Sequence, residues 1–220
     1  WDFRGARQAF ERAIALNPNN VTAYQWYAVH LGPMNRFPEG WKLLDHAMEL
    51  DPLSITLHAI AGLGYYNERR FDEAARQLQK TLEMDGGFFM ALLFLGWTYT
   101  AQARWPEAAA TLQKLTALPV TSPIALASLG MVHGLSGNRD LALATLNKLD
   151  EVATQMYVSP FYFAMIWSGL GERDRAFAYL DRAVVEREPF MVTLSTFPLL
   201  DTLRPDARYD GLLKVIGHRE

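Results

Sequence analysis

The chain has 220 residues, half of them hydrophobic and 20% charged, which suits one compact domain or a short repeat array and excludes a disordered chain. A formal net charge of −3 and a pI near 6.0 give no electrostatic ground for nucleic-acid binding. The absence of cysteine excludes disulfides, thiolate nucleophiles and cysteine-ligated metals, and leaves the compartment open, with the cytoplasm favoured over the periplasm. The sequence begins at Trp1 without a charged-then-apolar leader pattern and reads as a piece of a longer protein, with room for an effector domain upstream.

In chain order, apolar residues at spacings of three, four and seven predict α-helices over 2–16, 21–33, 37–50, 55–68, 71–84, 88–102, 105–117, 123–136, 139–153, 158–170 and 173–187. Two shorter helices are expected over 190–198 and 205–217. These elements share one period. Small residues recur every 34 positions at Ala6, Gly40, Ala74, Ala108, Ala142 and Ala176. Four positions after each comes Phe10, Leu44, Leu78, Leu112, Leu146 or Leu180, and seven after comes Ala13, Ala47, Thr81, Leu115, Leu149 or Ala183. Three before stand Phe3, Phe37, Phe71 and Trp105, then Arg139 and Arg173. A second small column, Ala28, Gly62, Gly96, Gly130 and Ala164, marks where two helices cross closely, because a larger side chain would push the backbones apart.

Turn chemistry agrees with this phase. Gly137 and Gly171 fall between the two helices of their repeats, where a helix C-terminus favours a left-handed residue. Asp72 and Asp140 open second helices, where a carboxylate can accept free backbone N–H groups. A fixed period of this length makes the expected fold all-α, a solenoid of antiparallel helix pairs.

These columns resemble the tetratricopeptide repeat, which has a small residue in its first helix, an aromatic before Glu-Ala in its second and a closing proline. Here the pattern reads Phe71-Asp72-Glu73-Ala74 and Trp105-Pro106-Glu107-Ala108, with Asn17-Pro18 and Asp51-Pro52 as closing pairs. The resemblance implies a right-handed superhelical solenoid of about 5.5 repeats over residues 1–188, divided as a partial unit at 1–20 and then 21–54, 55–88, 89–122, 123–156 and 157–188, with cap helices over 189–220. The last three repeats depart from it: Val120, Thr154 and Glu188 stand at the closing position, and Arg139 and Arg173 replace the aromatic. The tail from Phe197-Pro198-Leu199-Leu200 to Gly211-Leu212-Leu213 is similar to the segment that ends repeat arrays in many bacterial multidomain regulators, where a DNA-binding, kinase or cyclase domain precedes the repeats. That second likeness implies a bacterial origin and an N-terminal domain outside this sequence.

Charge is distributed unevenly. Residues 19–35, 52–67, 86–103, 115–138 and 152–171 carry no Asp, Glu, Lys or Arg, and each stretch holds the first helix of a repeat. The resemblance implies that first helices line a concave face. Projected onto it, Gln25, Trp26 and Val29 point inward, then Leu63, Tyr66 and Asn67, then Met90, Phe94, Trp97 and Ala101. Ile124, Ser128 and Met131 follow, and Phe161, Tyr162, Met165 and Ser168 complete the set. Family members that grip a C-terminal carboxylate use Lys, Arg and Asn on this face; here the amides are Gln25 and Asn67 and no cation is present, so that clamp is excluded. An open groove of this composition would exceed the apolar patch usual on a soluble monomer, and suits an apolar partner segment anchored on Trp97, Phe94 and Trp26.

Other chemistries find no support. The three longest uncharged stretches are interrupted by Gln102, by Pro119, Pro123 and His133, and by Gln155 and Pro160, and they keep the repeat phase, so no membrane span is expected. His30, His46, His58, His133 and His218 lack metal-ligand spacing, Gly62-Leu63-Gly64 lacks the third glycine of a dinucleotide fingerprint, and no phosphate loop or serine-nucleophile motif occurs. Asn20-Val21-Thr22 matches a glycosylation acceptor, but helix capping is the default role of Asn20. Asp201, Arg204, Asp206, Arg208 and Asp210 read as a solvated end cap, with Leu199, Leu200, Leu203, Leu212, Leu213 and Ile216 covering the sixth repeat. The expected function is non-enzymatic, without cofactor or metal: an interaction scaffold for an apolar protein segment, with homodimerisation or sensing of a small apolar ligand as alternatives.

Overall fold

The computed structural model describes residues 1–117 and 122–218; Pro119 and Val120, singled out above, lie outside the described residues. The chain is all-helical, with no strand among the described residues. It forms two compact units, Trp1–Phe94 and Leu95–Glu220, whose division falls within a helix.

The first unit holds α1 (Phe3–Leu16), α2 (Val21–Leu31), α3 (Phe37–Leu50), α4 (Ile55–Asn67), α5 (Phe71–Met84) and the start of α6 (Phe89–Ala101). The second holds the rest of α6, then α7 (Trp105–Thr116), α8 (Pro123–Leu135), α9 (Arg139–Ala153), α10 (Pro160–Gly169), α11 (Arg173–Val185) and α12 (Ala207–Val215). The spacing-based boundaries agree with these within two residues for most helices. They differ in the tail, where the expected helix over 190–198 is instead two 3-10 segments, Pro189–Thr193 and Pro198–Leu203. Each opens on a proline, which lacks the N–H that a continuing helix needs and disfavours helical backbone at the residue before it.

Antiparallel pairs form because one glycine column meets one leucine column. A Cβ on Gly62 of α4 would lie 2.5 Å from Leu78 of α5, and one on Gly96 of α6 would lie 2.6 Å from Leu112 of α7. The leucine methyls occupy the space that a side chain would take, and both leucines are fully buried. In the second unit the first helices themselves touch: a Cβ on Gly134 of α8 would come within 2.6 Å of the backbone carbon of Gly169 in α10. The column residues Ala74, Ala108, Ala142 and Ala176 are buried completely.

The turn inside each pair repeats with the same period. Asn35, Arg69, Ala103, Gly137 and Gly171, each 34 positions after the last, have φ of 57°, 63°, 56°, 81° and 75°. The next residue's N–H reaches back five positions to a carbonyl: Arg36 to Leu31 at 3.1 Å, Arg70 to Tyr65 at 2.9 Å, Arg104 to Tyr99 at 2.9 Å, Asn138 to His133 at 2.8 Å and Glu172 to Trp167 at 3.0 Å. This closure satisfies carbonyls left over at the helix end and requires a left-handed residue. Glycine was legible as that residue in two repeats; asparagine, arginine and alanine take the same conformation in the other three.

Caps and ion pairs complete the pairs. Asn20 Oδ1 accepts from the Ala23 N–H at 3.1 Å, the capping role expected of it. Asp72 and Asp140 lie inside the first turns of α5 and α9 rather than at the N-caps, which are Arg70 and Asn138; their charge there opposes the positive end of the helix dipole. Where Arg139 replaces the aromatic, its guanidinium bonds Glu172 at 2.6 Å, the residue that precedes α11.

The left-handed turn sites give a stability test. A Cβ on Gly137 would meet nothing within 4 Å, so its cost is conformational alone. Gly137→Ala is expected to lower the unfolding free energy by about 1 kcal/mol and Ala103→Gly to raise it by a few tenths to about 1 kcal/mol, read from urea melts monitored by far-UV circular dichroism.

Candidate functional site

Thirteen of the seventeen residues projected inward separate by burial as follows. Gln25, Tyr66, Phe94, Trp97, Met131, Phe161 and Met165 are buried; Val29, Leu63, Asn67, Met90 and Tyr162 are half-buried; Trp26 is 46% exposed.

In the first unit Val29, Leu63 and Asn67 line one shallow cleft. Its walls are Ala28, Val29 and Gly32 from α2 and the turn after it, Trp41 and Leu44 from α3, and Ile60, Leu63, Gly64 and Asn67 from α4. Two glycines keep it open. A Cβ on Gly64 would press to 3.1 Å on the Trp41 indole, and one on Gly32 would meet the Asn67 amide nitrogen at 3.5 Å. Trp41 is fixed by its indole N–H donating to Glu68 and by the Tyr65 ring at 4.7 Å. Val29 and Met90 pack on a core that contains Tyr24, Leu44, Leu57 and Ile60. Tyr66, expected on this face, is fully buried, with its ring 6.0 Å from Phe71.

In the second unit the chain's own C-terminal segment lies on Trp97 and Phe161, and Met131 and Met165 are buried as well, which corrects the open groove expected for these four. The Trp97 indole N–H donates to Ser128 Oγ at 2.8 Å, and Ser128 in turn donates to the Ile124 carbonyl at 2.7 Å. The Phe197 ring stands edge-on to Trp97 at 5.1 Å and 5.9 Å from Phe161. Phe190 stacks on Phe161 at 5.8 Å and meets Tyr162 at 5.8 Å, and the Thr202 and Ser168 hydroxyls are 3.2 Å apart. Burial beside the Glu188 charge pushes the Tyr162 phenol up to about 12. The covering segment is held from behind: the Leu194 carbonyl accepts from Tyr209 Oη at 2.6 Å and from Arg204 at 3.2 Å, and the Val192 carbonyl accepts from His218 at 2.7 Å. Leu199, Leu200, Leu203, Leu212, Leu213 and Ile216 are all buried.

Phe190 and Phe197 are the site residues that the sequence reading missed. A signal existed: residues 189–200 form one more uncharged run, with an aromatic beside each of its two prolines. Phe94, also expected to face a partner, is buried in the first unit.

Comparison with known proteins accords with this geometry. Residues 61–120 match the family model described as tetratricopeptide repeat. The crystal structure of the APC/C hetero-tetramer Cut9-Hcn1 aligns with a TM-score of 0.64 at 16% identity, over 97% of this chain and 41% of that one. TTC0263, a thermophilic tetratricopeptide protein of Thermus thermophilus, aligns with a TM-score of 0.62 at 16% identity, over 88% and 99% of the two chains. PilW, a widely conserved type IV pilus biogenesis factor, aligns at 0.60 and 20% identity, over 93% and 90%. At these identities the structures speak for the fold alone. No curated protein matches the chain. The matched segment and the shared fold show that the chain is built on tetratricopeptide-type helix pairs. No helix among the described residues is long and apolar enough to cross a membrane.

The contrast between covered and uncovered aromatics is measurable. Phe197→Ala is expected to cost about 3–5 kcal/mol of stability as a core truncation, whereas Trp26→Ala should stay within about 0.5 kcal/mol of the parent; denaturant melts of both variants check the difference.

Proposed function

We propose that the chain is a protein–protein interaction scaffold that binds an apolar partner segment along the first-helix face of its first unit. The observation that carries this reading is the cleft between α2, α3 and α4. Of its apolar lining Val29, Trp41 and Leu63 stay half-exposed, Trp26 stands exposed on the same helix as Val29, and α2 and α4 contribute no Asp, Glu, Lys or Arg to solvate the surface. A rigid aromatic, an adaptable methionine at Met90 and one amide at Asn67 are the chemistry of a partner-binding patch. The alternation of 34-residue units supports an array over residues 1–188 with a terminal cap over 189–220. The tail's similarity to the ends of bacterial regulatory arrays supports a place at the C-terminal end of a larger regulatory protein. The hetero-tetramer of Cut9 with Hcn1 supports this fold's use in holding protein partners.

The variant Trp26→Ala combined with Leu63→Asp tests the face. Partner capture from lysate should fall at least tenfold while the circular dichroism spectrum is kept, since truncating a buried aromatic anchor costs about 2 kcal/mol or more. Unchanged capture by the folded double variant would remove this face from the mechanism.

A further inference from the structure

The repeat period turns the covered unit into a template for the uncovered one. Val29, Leu63, Trp97, Met131 and Met165 form a single column, each 34 positions after the last. In the second unit Trp97, Met131 and Met165 are 3%, 0% and 0% exposed, while in the first unit Val29 and Leu63 remain half-exposed. The cover over Trp97 is visible. Phe197 touches both Trp97 on α6 and Phe161 on α10, with Trp97 tied through Ser128 to the intervening α8. A ring that meets alternate first helices in this way lies across their common face.

We infer that residues 189–203 are a built-in occupant of this face in the second unit, and that the matching face of the first unit takes from a partner protein a segment of the same chemistry: uncharged, apolar, with a phenylalanine set before a proline as its anchor. The inference rests on the function proposed above and names the partner's chemistry. Three features of the occupant carry over. It is uncharged from Pro189 to Leu200, as it must be on a face that offers no opposite charge to replace lost water. Its anchor is held extended, with φ −71° and ψ 106° at Phe197, the conformation that a following proline imposes and that lowers the ordering cost of binding. It keeps a hydroxyl, Thr202, 3.2 Å from that of Ser168.

The probe is a capped synthetic peptide with the sequence Thr193–Leu200, titrated into the full chain and followed by amide shifts. Expected is saturable binding with one site and shifts on α2 and α4, weakened at least tenfold by Leu63→Asp in the protein and by Phe197→Asp in the peptide. Val29→Asp replaces Leu63→Asp if the latter melts. No saturation at millimolar peptide overturns the inference, as do shifts confined to α8 and α10, which would mean exchange with the resident segment. The two levels separate cleanly. If the peptide fails while Trp26→Ala with Leu63→Asp still abolishes partner capture, the face stands and the partner chemistry falls. If neither has an effect, the face itself falls.

Discussion

The architecture depends on helix backbones approaching closely enough for a leucine of one to lie on a glycine of the other. Gly62 under Leu78 and Gly96 under Leu112 are the same contact, repeated with the period of the sequence. At that separation no side chain larger than hydrogen fits on the first helix, and the leucine above it is wholly buried. The consequence spreads along each pair. In α6 every residue from Ala91 to Thr100 is buried. Charge is left to the second helices and turns, where Arg36, Arg70 and Arg104 each pair with the glutamate three residues on. Those exposed pairs contribute little energy. Their value is that they keep one side of each pair compatible with water while the other side stays apolar.

The turns follow the same logic. A left-handed residue lets the chain reverse within a few positions and still satisfy the carbonyls of the helix it leaves. Glycine at 137 and 171 does this without strain, and Asn35 is the next most tolerant choice. Arg69 and Ala103 carry a conformational cost, so the packing on either side must over-determine the turn. Part of that packing is evident: the guanidinium of Arg70 lies 4.5 Å over the Tyr65 ring and that of Arg104 lies 4.3 Å over Tyr99, so the residue after each strained position is tied to the helix just ended.

What could be read from the sequence follows from which interactions are local. The helix pairs were legible because the glycine and leucine columns are chemically explicit and recur in phase. The charge-free first helices were legible for the same reason. Exposure was not. Trp26 and Trp97 both lie on uncharged first helices, yet one is 46% exposed and the other 3%. The register puts them in different columns but says nothing of Phe197, far along the chain, which packs on Trp97. Tyr66 was misplaced for a smaller reason: at a helix end, a modest rotation decides between the face and the interior, and Phe71 draws the ring inward. The tail was read as a cap made of leucines, which are indeed buried, but its two phenylalanines were passed over by a reading based on a period that the tail does not share, although their uncharged run was there to be seen.

Tether length and concentration explain how the resident segment holds its place in the second unit. A tethered segment faces its site at an effective concentration set by the linker, in the millimolar range for short ones. Residues 189–203 follow directly on α11, so the first helices of their own unit are within immediate reach. Burying a phenylalanine there gains roughly 1.5–3 kcal/mol, and Tyr209, Arg204 and His218 fasten the backbone of the same segment. Any group competing for that face must displace a segment that is already ordered and already tied at its backbone, so in the second unit the repeat's apolar face serves as core.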